Sequence, residues 1–187
     1  MDVIERGDLQ FFFQPSVQPA EADEIALGVQ SFFAIMSPEG GEHRRLRIGK
    51  KRMPATPRER FWARIERVGS LDRVLGGKLE GEYYTTKTRG ERYQPAARPV
   101  AHGTYELVRH ADHTHFRYAV ERFAFEDAPD ELQLAESGDH LVLFEAPPSA
   151  KATWTPAGEP ALLDHEGAEL VLVGSCGGDA PGTDDSA

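Results

Sequence analysis

The stretch GTYELVRHADHTHFRYAVE, residues 103–121, constrains the fold more than any other. Folded back on itself with Ala111 and Asp112 at the tip, it sets Leu107 opposite Phe116 and Tyr105 opposite Tyr118, which makes one apolar face. The same register sets Glu106 opposite Arg117, Val108 opposite His115 and His110 opposite His113 on the other face. Side chains alternate along a strand, so a slip of one residue would exchange the two sets and lose both kinds of pair. An antiparallel hairpin satisfies both at once. Ala-Asp is not a favoured two-residue turn, so the tip is expected to be longer by a residue or two.

Other segments carry the same period of two. In DLQFFFQPSV, Leu9, Phe11 and Phe13 alternate with Gln10, Phe12 and Gln14, a strand with one buried face closed by Pro15. VQSFFAIMSPEGGEHRRLRIG is an apolar strand, a Pro-Glu-Gly-Gly turn, and a strand that sets Arg45 and Arg47 against Leu46 and Ile48. RFWARIERV sets Phe61, Ala63 and Ile65 against Trp62, Arg64 and Glu66. Near the end, ALLDHEGAELVLVG reads as two short strands about Glu166-Gly167.

Helical signals are few. Ser70 is placed to cap LDRVLGGKL, which Gly76-Gly77 weakens, and DAPDELQLAE is a second short candidate. The expected class is α+β and β-dominated: a mixed or antiparallel sheet, or a partly closed barrel, with two or three short helices. With 187 residues and no repeat, one β-rich domain over 1–174 is expected. The Pro- and Ala-rich stretch 146–160 is expected to be a surface loop or linker, and the Gly-rich 175–187 a disordered tail. MDVIERGDLQ lacks the basic-then-apolar pattern of a signal peptide, and no apolar run nears the ~20 residues of a membrane span, so a cytoplasmic, bacterial-type protein without a membrane partner is expected. A single cysteine, Cys176, excludes an intrachain disulfide or a thiolate metal cage.

Charge is segregated along the chain. Against a net charge of −10, residues 43–98 hold 16 Lys/Arg and 6 Asp/Glu, a net of +10. HRRLRIGKKRMP supplies Arg44, Arg45, Arg47, Lys50, Lys51 and Arg52. RERFWAR supplies Arg58, Arg60 and Arg64 around Phe61 and Trp62, and EYYTTKTRGERYQPAAR adds Lys87, Arg89, Arg92 and Arg98 among Tyr83, Tyr84 and Tyr93. Guanidinium forks grip phosphate oxygens and exposed rings stack on bases, which is the equipment of a single-strand nucleic-acid surface. The candidate ligand residues are Arg47, Lys50, Lys51, Arg52, Arg60, Trp62, Arg64, Tyr84, Lys87, Arg89, Arg92, Arg109 and Arg117. The competing reading is internal: acidic strands laid beside basic ones neutralise the segment within the fold.

The hairpin face carries a second constellation. His110, His113 and His115 with Asp112 are candidates for acid–base work or for a divalent metal site, the three histidines being the ligands. With Arg109 and Arg117 adjacent, the same face could meet an anion instead. No H-E-x-x-H, C-x-x-C, phosphate-loop, dinucleotide-loop or nucleophile-elbow motif occurs.

ERGDLQFFFQPSV, IGKKRMP, ERFWARIERV, YYTTKTRGERYQPAARP, YELVRHADHTHFRYAVE and LLDHEGAELVLVG, taken in order, resemble an uncharacterised family of bacterial proteins without an assigned activity. That resemblance implies one unit containing the basic segment, the histidine hairpin and the final strands. The order GDLQFFF, FWARIERV, YYTTKT is also similar to PUA-like and EVE-type barrels, which bind RNA or modified bases. The leading expectation is a binding module for RNA, DNA or another phosphate-bearing polyanion. The alternatives are an enzyme acting on a phosphorylated or nucleotide ligand through the histidines, and a protein that self-associates through complementary charged faces.

Overall fold

The computed structural model describes residues 1–19, 28–123, 129–132, 134–146, 149 and 151–174. The expected tail, 175–187, with Cys176 in it, lies outside the described residues, as do parts of the expected helix at 127–136. Two four-stranded antiparallel meanders make up most of the chain. The first is β1 (Asp2–Pro15), β3 (Val29–Pro38), β4 (His43–Ile48) and β5 (Arg60–Gly69). The second is β8 (Arg98–His110), β9 (His113–Phe123), β10 (Ser137–Glu145) and β12 (Glu169–Val173). They join along both edges, β5 to β12 and β1 to β8, so the eight strands close into an antiparallel barrel. β11 (Trp154–Thr155) adds to the outer end of β10. The 146–160 stretch is thereby tied to the barrel by a strand pair.

Closure buries the inward row of every strand. Leu9, Phe11 and Phe13 meet Phe32, Leu46, Ile65, Leu107, Phe116 and Tyr118 in one core, with the Phe11 ring 5.6 Å from Phe32 and 5.3 Å from Tyr118. The interior is filled by side chains. Its apolar void, bounded by Met36, Leu46, Leu107 and Phe116, amounts to about 10 Å³, too small for any organic ligand. Corners need close strand approach, and Gly103 supplies one: a Cβ there would lie 1.9 Å from the Ala119 carbonyl oxygen.

One outer face is buried as well, by the segment that links the meanders. α1 (Leu71–Leu75) starts at Ser70, whose hydroxyl accepts from the Arg73 N–H at 3.2 Å, as expected, but it stops before Gly76-Gly77 and does not run through the expected LDRVLGGKL. Val74 and Ala97 pack on Phe12, Phe33 and Ile35, with the Phe12 and Phe33 rings stacked 5.2 Å apart. β1 therefore has two buried faces at Phe12 where one was expected. The linking segment continues as β6 (Glu82–Thr86) and β7 (Gly90–Gln94), which form a second small sheet with β2 (Gln18–Pro19).

Two further expectations are corrected. ALLDHEGAELVLVG holds one strand, β12; Pro160–Leu163 is a 3₁₀ turn, begun by the fixed φ of proline, and it covers one end of the barrel. DAPDELQLAE contributes a 3₁₀ turn over Asp130–Leu132 among its described residues. No helix among the described residues is long and apolar enough to cross a membrane.

Candidate functional site

The register of β5 decides the exposed chemistry. Phe61, Ala63 and Ile65 point inward, so Arg60, Trp62 and Arg64 stand side by side on the outside. Trp62 is 56% exposed, and its ring meets that of Trp154 edge-on at 5.0 Å. Arg47 on β4 lies directly across from Arg64 and is exposed. The chain leaves β4 with the Gly49 N–H donating to the Trp62 carbonyl at 2.7 Å, so Lys50 and Lys51, both exposed, emerge beside the Arg60–Trp62 end of β5. Six of the sequence candidates thus share one surface: Arg47, Lys50, Lys51, Arg60, Trp62 and Arg64.

Others serve the fold. Arg52 is bound to the Glu59 carboxylate, donates to the Met53 carbonyl at 3.1 Å and lies 5.1 Å from the Phe61 ring centre, so it fastens the β4–β5 connection. Arg52 and the N–H groups of Ala55 and Thr56 hold the Glu59 carboxyl down at about 2. Arg44 points into the barrel and donates to both Glu5 oxygens at 2.6 and 3.0 Å and to Asp164 at 2.8 Å. Burial opposes its charge, but the bonds and charges of Glu5 and Asp164 more than offset that, and its pKa is raised. Neutralisation within the fold therefore accounts for Arg44, for Arg52 and for Arg45, which binds Glu66 at 2.8 Å. It does not account for Lys50, Lys51, Arg60, Arg64, Lys87 or Arg89, which have no carboxylate within ion-pair distance among the described residues.

The second sheet carries four more candidates, Tyr84, Lys87, Arg89 and Arg92. Tyr84 is 38% exposed and sits across from Arg92, whose guanidinium reaches the Val17 carbonyl at 3.5 Å. Lys87 and Arg89 are exposed at the β6–β7 tip, where Thr86 Oγ1 accepts from the Arg89 N–H at 2.9 Å and Gly90 takes φ 71°. Residues 87–89 make the whole connection, because β6 ends at Thr86 and β7 begins at Gly90.

The histidine hairpin has the register read from its sequence, and its tip is the two residues Ala111 and Asp112 without extension. Ala111 takes φ 56°, the strain that an unfavoured residue accepts in this turn. His110 stacks on His113 at 5.4 Å and His113 meets His115 at 4.9 Å. His115 Nδ1 lies 2.6 Å from Asp139 Oδ1, and His113 Nδ1 lies 3.2 Å from Asp112 Oδ1, which holds the Asp112 carboxyl low. Arg117 shares this face, 3.9 Å from Asp139. Arg109 does not: paired across from Thr114, it faces the other way and donates to Glu159 at 2.8 Å and to the Gly158 carbonyl at 2.6 Å. The reading that puts Arg109 beside the histidines is therefore corrected by alternation alone. Among the described residues no group of three or more His, Cys, Asp and Glu side chains is placed to hold a metal ion. Asp112 and Asp139, the carboxylates beside these histidines, are already engaged by a histidine or an arginine.

Residues that the sequence did not single out also matter. Trp154 supports Trp62 from a stretch that reads as linker. Arg67 is placed by a bulge: Arg45 lies across from Arg67 and Leu46 from Ile65, so Glu66 and Arg67 together oppose one residue of β4. A one-residue irregularity of this kind leaves no mark in the alternation of RIERV.

No protein-family model, curated protein or solved structure matches this chain. The functional reading rests on the site's own geometry.

Proposed function

We propose that the protein binds nucleic acid, with the outer face of β4 and β5 as the contact surface. One observation carries this reading: Arg60, Trp62 and Arg64 are adjacent and exposed, and neither arginine has a carboxylate partner among the described residues. An isolated surface arginine is ordinary, but two flanking an exposed indole, with Arg47 across the strand and Lys50 and Lys51 at its end, are a phosphate-contacting stripe around a stacking platform. The filled barrel interior favours a surface ligand over an enclosed one. Acidic residues elsewhere give the net charge of −10 and favour a single orientation toward a polyanion.

Fluorescence anisotropy with labelled single- and double-stranded RNA and DNA, at low and near-physiological salt, tests the reading. The expected result is salt-weakened binding, tightest for a single strand, that is lost in Lys50→Glu/Lys51→Glu and weakened in Trp62→Ala. Absence of binding at low salt would refute it.

A further inference from the structure

We infer that the cleft between the α1–β6 connection and the outer face of β4 and β5 binds a phosphomonoester. The cleft encloses about 350 Å³ and is lined by Gln14, Arg45, Arg67, Lys78, Glu82 and Gln94, among others. It opens at the Arg67 end of β5, and the cations that line it, Arg45, Arg67 and Lys78, are not part of the Trp62 stripe.

Two arginines share one carboxylate, and the cleft adds two more cations. Glu66 accepts from Arg45 Nε at 2.8 Å and from Arg47 Nη1 at 3.3 Å, so a single negative charge serves both. Arg67 and Lys78 bring two more positive charges. Arg45 is 5% exposed and its Nη1 is spent on the Val74 carbonyl at 2.9 Å, which fixes the guanidinium against α1. Arg67 has one hydrogen-bond partner among the described residues, the Arg73 carbonyl at 3.3 Å, and the rest of its fork is available. Lys78 Nζ donates to Gln14 Oε1 at 3.0 Å, and that oxygen also accepts from Ser31. The Lys78 main chain is pinned in turn, its carbonyl accepting from the Ala97 N–H at 2.6 Å.

The arrangement is costly when empty. Burial lowers the Lys78 pKa, and the nearby charges of Arg45, Arg47 and Arg67 lower it further against the pull of Glu66. A bound dianion would offset the repulsion among these cations. Gly76 makes room: a Cβ there would come within 3.2 Å of Arg67 Nη1. A phosphomonoester fits better than a monoanion, because a second negative charge is needed to match Arg67 and Lys78 together. The exposed Glu80 and Glu82 at the rim oppose a bare polyanion and suit the hydroxyl donors of an attached sugar. Tyr84 stands two residues beyond Glu82 on the same face of β6, within reach of a base carried by that sugar. A free nucleotide and the phosphorylated end of a strand share this chemistry.

Calorimetry on the full chain tests the inference, with inorganic phosphate, AMP, adenosine, and one oligonucleotide with or without a 5′-phosphate. AMP should bind at least about tenfold more tightly than adenosine, since the phosphate brings charge-assisted bonds that the nucleoside lacks. Lys78→Met and Arg67→Gln should each remove that preference, while Lys50→Glu/Lys51→Glu leaves it intact. Circular dichroism melting checks that the variants fold, and Arg67→Gln, half-exposed with one contact to lose, keeps the test open should Lys78→Met unfold. A 5′-phosphate that strengthens oligonucleotide binding in the Lys50/Lys51 variant identifies the strand end as a source; an effect of AMP alone identifies the free nucleotide. Equal affinity for AMP and adenosine, or an undiminished preference in both folded variants, overturns the inference. Absence of strand binding by the native chain, with AMP still bound, would instead refute the contact surface on β5 and leave this site standing.

Discussion

Inside one end of the barrel, Arg44 and Glu5 face each other in a two-bond fork of 2.6 and 3.0 Å, and the arginine is 1% exposed. Tyr105 donates its hydroxyl to the same carboxylate at 2.7 Å, and burial, with the Glu5 charge, raises the tyrosine pKa. A buried pair of this kind contributes little over an apolar pair, but half of it is a liability. Glu5→Ala should therefore destabilise the fold by about 3–5 kcal/mol in urea unfolding. The double variant Glu5→Leu/Arg44→Met should recover most of that loss. A double variant no more stable than the single one would mean that the pair itself holds this end closed.

Much of the barrel is legible in the sequence where one face is apolar and the other polar. β5 and the β8–β9 hairpin are of that kind, and their registers follow from alternation and cross-strand pairing. β10 is not among the strands that alternation picks out, because its inward row begins with Gly138 and His140 before Val142 and Phe144. That Arg60, Trp62 and Arg64 share one face of β5 was equally readable, but whether Trp62 would lie in a core or at the surface was not, because the alternation does not say which outer face another segment covers. The cleft was not: Arg67 reaches it through a bulge, and Lys78 through the packing of α1 on Phe12 and Phe33, neither of which has a period. Which arginines would find carboxylates was likewise invisible, because Glu5 and Asp164 lie 39 and 120 residues from Arg44.

Gly103 tests the corner of the barrel. Its Cα approaches β9 so closely that an added Cβ would sit 1.9 Å from the Ala119 oxygen and 2.8 Å from the Val120 Cα, both main-chain atoms. The neighbours cannot swing aside as a flexible side chain would. Gly103→Ala should lower stability by about 1–3 kcal/mol or more, read as a lower urea midpoint with an unchanged slope. Gly77→Ala meets no atom within 4 Å, and only its φ of 74° opposes it, so its effect should be smaller, about 1 kcal/mol.

The β5 stripe predicts a salt slope. Each phosphate neutralised by an arginine releases counterions, so affinity falls linearly with salt on logarithmic axes. Arg60→Gln/Arg64→Gln should weaken nucleic-acid binding and make that slope shallower by about 2, one for each contact. Trp62→Ala should weaken binding through lost stacking and leave the slope unchanged. A slope unaltered by the arginine pair would place the phosphate contacts elsewhere.

His140 links the barrel to pH. It is 2% exposed, its ring stacks on Tyr118 at 5.9 Å, and its Nδ1 lies 3.2 Å from the Val173 carbonyl, to which it donates. Burial lowers its pKa below 6.5, against smaller opposing effects from the Val173 carbonyl and the Asp139 charge. The unfolded chain therefore binds a proton at this residue before the folded one does. Stability contributed here is complete above the unfolded value of 6.5, and it falls as pH drops from there toward the lower folded value. Urea unfolding midpoints measured between about pH 7.5 and 5.5 should decline on the acid side. His140→Leu should flatten that decline while losing about 1 kcal/mol at neutral pH, because the Val173 carbonyl then lacks its donor. A decline as steep in the variant as in the native chain would assign the acid sensitivity to another group.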